Sequence, residues 1–109
     1  MQANEYQTLA ARTIATNDTK TMCDHAMMGM VAEMGELFGL YQKVYQGHDF
    51  DEDHAKKELG DLLWMIAEYC TSMGWYLADI MTMNIEKLKA RYPDGFDPEK
   101  SLHRQDGDI

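Results

Sequence analysis

The chain has 109 residues with 45% hydrophobic and 27% charged content, a globular composition without the low hydrophobicity of disordered chains. At 12.6 kDa, surface scaling gives roughly 6,200 Å² folded against roughly 18,300 Å² extended, so about two-thirds of the surface can be buried in one domain. Nineteen acidic against ten basic residues leave a net charge of −9. That balance disfavours a sequence-independent grip on nucleic-acid phosphate and docking on an anionic membrane, and any bound anion needs a local basic patch.

The first predicted helix begins at Asn4, with Gln7 three residues on in the manner of a capping box, and sets Tyr6, Leu9, Ala10, Thr13 and Ile14 on one stripe. Asn17, Asp18 and Thr19 break the period. A long second helix follows, with Met27, Met30, Val31, Met34, Leu37, Phe38, Tyr41 and Val44 at 3.6-residue spacing up to Gly47. His48 to Asp53 is an acidic connection rich in N-cap residues, after which Leu59, Leu62, Leu63, Ile66, Ala67, Cys70 and Met73 build a third helix closed at Gly74. A fourth helix turns Leu77, Ile80, Met81, Ile85 and Leu88 inward and ends near Tyr92, because Pro93 disfavours helical geometry in the residue before it. From about residue 93 the chain reads as an irregular tail, with Phe96 an aromatic able to dock and Gln105 to Ile109 solvated.

No segment alternates as a strand does, and the connections are short, so the fold class is all-α: a helical hairpin or four-helix bundle, one domain over 1–109. No apolar stretch approaches the roughly 20 residues that cross a bilayer, and the N-terminus has no signal-peptide pattern, so the chain is read as cytoplasmic. Cys23 and Cys70 stand alone, which excludes a zinc knuckle and a redox dithiol and leaves buried thiols. Ten methionines, five of them between Met22 and Met34, serve as core filler or as an adaptable face against another subunit.

Two helices carry nearly the same acidic phrase: Glu33-Met34-Gly35-Glu36-Leu37-Phe38, and 25 residues on, Glu58-Leu59-Gly60-Asp61-Leu62-Leu63. Each sets two carboxylates at i and i+3, on one helix face about 5–6 Å apart. Either pair alone could be a solvated acidic stripe. Both, however, sit at the edge of the apolar pattern, and both include a mid-helix glycine that costs about 1 kcal/mol against alanine and calls for close helix approach or room for a ligand. An antiparallel hairpin would converge the four carboxylates, and such a concentration of charge needs cations. Hard oxygen ligands without histidine or thiolate pairs suit Mg²⁺, with Mn²⁺ as a substitute, and a Mg²⁺ site of this kind takes a phosphate ester as its partner. On the fourth helix, Asn84, Lys87 and Arg91 fall within about 60° of one another, a polar stripe ending in two cations that suits phosphate. The same cations would also complement a helix C-terminus.

These residues resemble the MazG-like all-α nucleoside triphosphate pyrophosphohydrolases, whose hallmark is E-x-x-E followed after a spacer by E-x-x-D. The flanking text is similar as well: Glu58-Leu59-Gly60-Asp61-Leu62-Leu63-Trp64, Asn84-Ile85-Glu86-Lys87-Leu88, Arg91-Tyr92-Pro93 and Gly95-Phe96, with Glu5-Tyr6-Gln7 and Arg12-Thr13 at the start. Ala32 stands where MazG itself tends to have a doubled glutamate. The resemblance implies Mg²⁺-dependent hydrolysis of a nucleoside triphosphate, ribo or deoxy, to the monophosphate and pyrophosphate, in nucleotide pool control. It implies Glu33, Glu36, Glu58 and Asp61 as metal ligands and catalytic groups, and Asn84, Lys87 and Arg91 on the phosphate chain. Trp64 is then the candidate for stacking on the base and Arg104 for reaching a phosphate. Members of the family assemble from helical hairpins, which implies a homodimer or homotetramer with methionine-rich faces buried between protomers. The alternatives are the related phosphoribosyl-ATP pyrophosphohydrolase and a non-catalytic helical module that binds metal and nucleotide. The four histidines, His25, His48, His54 and His103, are scattered and carry no assigned role.

Overall fold

The two longest helices of this chain start at aspartate caps that the sequence places just ahead of their apolar runs. In a computed structural model describing residues 1–109, α1 spans Ala3–Ala11, α2 Thr19–Tyr45, α3 Glu52–Met73, α4 Leu77–Arg91 and α5 Pro98–Leu102, with no strand. The Asp18 carboxylate accepts from the Thr21 amide at 3.0 Å to open α2, and that of Asp51 accepts from the His54 amide at 3.0 Å to open α3. At the far end of α3, Gly74 takes φ +71°, and the Trp75 amide reaches back to the Cys70 carbonyl at 2.9 Å. This left-handed closure favours glycine and turns the chain sharply into α4.

α2 and α3 form the expected antiparallel hairpin, and its register can be read from three pairs that face one another: His25 with Glu68, Gly29 with Met65, and Glu33 with the Glu58/Asp61 turn. The close approach lies at Gly29, where a β-carbon would meet the Met65 sulfur at 2.1 Å. It does not lie at Gly35 or Gly60, where a β-carbon would meet nothing within 4 Å. Of the two reasons expected for the acidic phrases' glycines, close helix approach is therefore not what this hairpin shows, and room for a ligand is the one that stays open.

α1 lies across α3 and the start of α4. Ala3, Tyr6 and Ala10 pack, with Ile66, on a small core of Ala67, Cys70 and Leu77. The expected capping box is also corrected. Gln2 and Glu5 cap α1, while Asn4 and Gln7 reach across to α4. The Leu77 amide donates to the Gln7 side-chain oxygen at 2.7 Å and the Ala78 amide to that of Asn4 at 3.0 Å. The Gln7 amide nitrogen in turn donates to the Trp75 carbonyl at 2.8 Å and the Thr71 hydroxyl at 3.3 Å. Two side chains one turn apart on α1 thus satisfy the first free amides of α4. Thr13 and Ile14, expected on the α1 stripe, lie beyond its end.

The α4 residues expected to face inward are only partly so. Leu77 is buried, but Ile80, Met81, Ile85 and Leu88 are exposed, because α4 rests chiefly on α1 and the tail meets only its last turns. The tail is more ordered than expected, with α5 opened by Asp97 and Pro98. Phe96 stays exposed and rests on Tyr92, ring centroids 5.2 Å apart. Cys70 is buried and Cys23 half-buried. No helix is long and apolar enough to cross a membrane.

Nine of the 109 residues are buried, and the accessible surface is 8356 Å², about 2,000 Å² more than a compact monomer of this mass exposes. The radius of gyration, 17.2 Å, likewise exceeds the roughly 13 Å of a compact domain this long. The hairpin is an open structure.

Candidate functional site

The register of the hairpin brings Glu33 of α2 opposite Glu58 and Asp61 of α3. One carboxylate oxygen from each of the three lies within 4.8 Å of the others, and all three side chains are half-buried. Opposite ligands of a Mg²⁺ ion are about 4.2 Å apart and those of a Ca²⁺ ion about 4.8 Å, so the donor set and its span fit a hard divalent cation. Glu36, one turn along α2, is exposed and lies outside this group, though close enough for its charge to act on Glu33.

The electrostatics express the crowding. Hydrogen bonding to Glu58 pushes the Glu33 carboxyl above its ordinary range, and desolvation and the charges of Asp61, Glu58 and Glu36 push the same way. Glu58 has a second partner, since His54 Nε2 lies 3.0 Å from its Oε1, one turn back on α3. Burial, and next the negative charge of Asp61, raise the Tyr6 phenol on α1 above its ordinary range. Neither His54 nor Tyr6 was assigned here from the sequence. The i, i+4 spacing of His54 and Glu58 was the available signal for one, but such pairs are equally common on plain helix surfaces.

The cationic residues assemble elsewhere. Lys87, Arg91 and Arg104 line a pocket of about 480 Å³ between the end of α4 and the tail. Asn84 is exposed one turn earlier on α4 and does not line it. Arg91 is not free: its Nε and Nη2 donate to the Asp108 carboxylate at 2.8 and 2.6 Å. The 105–109 segment, expected to be solvated, is therefore tied back onto α4. Trp64 is half-buried, and its indole N–H donates to the Thr13 hydroxyl at 2.9 Å.

Outside both places, His25 Nδ1 lies 2.8 Å from the buried Glu68 carboxylate, joining the hairpin's two helices at their other end. It belongs to the framework.

Comparison with known proteins fits this geometry. The Gene 37 protein of Mycobacterium phage L5 is 28% identical over 76 residues, covering 65% of this chain and 67% of that protein. No solved structure gives a significant match. The model of the MazG nucleotide pyrophosphohydrolase domain matches residues 23–96, a span that takes in both helices of the acidic hairpin and α4. With the two acidic phrases facing one another inside that span, the chain belongs to the MazG nucleotide pyrophosphohydrolase domain family.

Proposed function

We propose that the protein hydrolyses a nucleoside triphosphate, ribo or deoxy, to the monophosphate and pyrophosphate, acting in nucleotide pool control. The observation that carries this reading is the meeting of Glu33, Glu58 and Asp61 oxygens within 4.8 Å across two helices. Three acids so close on half-buried faces cost stability unless a cation offsets them. The three carboxylates would hold Mg²⁺, or Mn²⁺ in its place, with Glu36 positioned to join from the exposed side. A bound divalent ion would supply charge neutralisation for the phosphates and a lowered pKa for a water it holds.

The chain's own groups divide the remaining work. Glu33, whose carboxyl its acidic neighbours raise above the ordinary range, would serve as a ligand in its ionised form, so cation binding there would compete with protons. His54 fixes the orientation of the Glu58 carboxylate, as hydrogen-bonded outer partners commonly do for ligands. Asn84, Lys87 and Arg91, with Arg104 in the same pocket as the last two, lie apart from the carboxylates within one copy and would bind the phosphate chain where association of copies brings the two groups together, their charge then opposing the negative charge that builds on departing pyrophosphate. Trp64 would offer its ring face to the base, its N–H being already engaged.

We further propose that the working form is a homo-oligomer, a dimer or tetramer. The support is physical: an open chain with excess surface and with Val31, Phe38 and Tyr41 of α2 exposed at helical spacing.

The test is pyrophosphate release from each common ribo- and deoxyribonucleoside triphosphate and from phosphoribosyl-ATP, with Mg²⁺, Mn²⁺ or chelator, on wild type and Glu58→Gln. Metal-dependent release, lost by about 100-fold or more in the variant, is the expected result. Metal and nucleotide binding without release from any substrate would leave a non-catalytic module.

A further inference from the structure

The pocket between α4 and the tail reverses the sign of the chain around it. In a protein of net charge −9, Lys87, Arg91, Lys100 and Arg104 line one volume of about 480 Å³, accompanied by Asp106 and Asp108. Of the two aspartates, Asp108 is the one gripped by hydrogen bonds. Arg91 Nε donates to its Oδ2 at 2.8 Å and Nη2 to its Oδ1 at 2.6 Å, while Nη2 also approaches the Ile109 carbonyl at 3.4 Å. The two side chains are 10% and 18% exposed, far less than a plain surface pair. The Arg91 hydrogen bond, and then the charges of Arg91, Arg104 and Lys87, hold the Asp108 carboxyl below its ordinary range. Three of the four cations of the pocket therefore act together on this one carboxylate.

A guanidinium fork meets a carboxylate and a phosphate in the same two-oxygen geometry. We propose that Asp108 is a built-in anionic occupant of a polyphosphate site, and that the phosphate chain of a ligand enters by displacing it, so that the tail limits access by competition. The inference rests on reading the α4 cations as phosphate-binding. A tethered carboxylate competes at an effective concentration in the millimolar range, which weak free anions cannot match. A polyphosphate overcomes it because it brings several charges to four cations where Asp108 brings one. The fold thereby sets a threshold: inorganic phosphate and carboxylates are held off, and chains of two or more phosphates are admitted.

The test is calorimetric binding of inorganic pyrophosphate to the full chain, in chelator so that the carboxylate cluster takes no part. Asp108→Asn removes the competing charge and is expected to tighten pyrophosphate binding by about tenfold. Asp108→Ala should do the same. Asp106→Asn, in the same pocket but off Arg91, should change it far less, and Arg91→Gln should abolish binding in both the wild-type and Asp108→Asn backgrounds. Unchanged or weaker binding in the Asp108 variants would overturn the proposal, leaving the pair as a strut that holds the tail. Equal tightening by Asp106→Asn would also overturn it, since net charge alone would then account for the gain. Tightening in a protein that turns over no triphosphate would keep the competing tail and sink the hydrolase reading; turnover without tightening would do the reverse.

Discussion

Removing one carboxylate from a group of three takes away a ligand and a repulsion together, so its effect on stability reverses with the metal. Without metal, Glu58→Gln removes a charge that lies beside Glu33 and Asp61. At about 4 Å in a well-screened setting that repulsion is roughly 1 kcal/mol, so the melting temperature in chelator should rise by about 4 °C. With Mg²⁺ the wild type should gain stability and the variant should not, and calorimetry in both buffers checks this. The pH dependence follows from Glu33. Its folded-state carboxyl is raised, so the metal-free fold prefers the protonated form. Stability in chelator should therefore fall as pH climbs from the unfolded glutamate range through the higher folded value, and Glu58→Gln should flatten that fall. His54 acts on the same carboxylate from the other side. Loss of an outer partner commonly costs 10- to 100-fold in metal affinity, so His54→Ala should raise the Mg²⁺ needed for half-maximal activity by at least about tenfold. His54→Gln, which keeps a donor, should recover part of it. The pairing of Glu58 with Asp61 was legible in the sequence because i, i+3 positions share a helix face whatever the neighbours, but that Glu33 meets them without Glu36 depends on the register of the hairpin. Departures appeared where a partner lay far away in sequence, as with Asn4 and Gln7, which cap α4 from α1.

Helix by helix, boundaries followed local chemistry and were readable: an aspartate before α2 and α3, Gly74 after α3, Pro93 after α4. What a helix packs against was not, because periodicity marks an apolar face without saying what covers it. The glycines give this difference a test. At Gly29 a β-carbon would press on the buried Met65 side chain, so Gly29→Ala should destabilise by about 1 kcal/mol, the overpacking outweighing the gain in helix propensity. At Gly60 the space is open, and Gly60→Ala should stabilise the isolated chain by up to about 1 kcal/mol. Denaturant melts of the two variants should move in opposite directions. If Gly60→Ala also lowers triphosphate hydrolysis while raising stability, the open space beside Glu58 and Asp61 is room for substrate; unchanged activity would make it room for nothing in the reaction.

For the molecule as a whole, the question is what balances an exposed surface of 8356 Å² in so short a chain. The core of Ala67, Cys70 and Leu77 is small, and Met27, Val31, Met34, Phe38 and Tyr41 repeat along α2 at helical spacing while remaining exposed. Conformational entropy of folding scales with every ordered residue, whereas burial in one copy is confined to a few, so stability should come largely from a second copy. Phe38 separates the two cases. Phe38 is 66% exposed in the single chain, and a surface substitution there should move a monomer by no more than about 0.5 kcal/mol. In an assembly that buries this face, Phe38→Glu places a charge in the apolar contact, so light scattering should show the mass fall toward 12.6 kDa and the melting temperature should drop with it. The wild-type melting temperature should also rise with protein concentration, as mass action requires when subunits fold and associate together. A wild-type mass of one chain at micromolar concentration, with a melting temperature independent of concentration, would mean that the hairpin stands alone and that the α2 stripe has some other occupant.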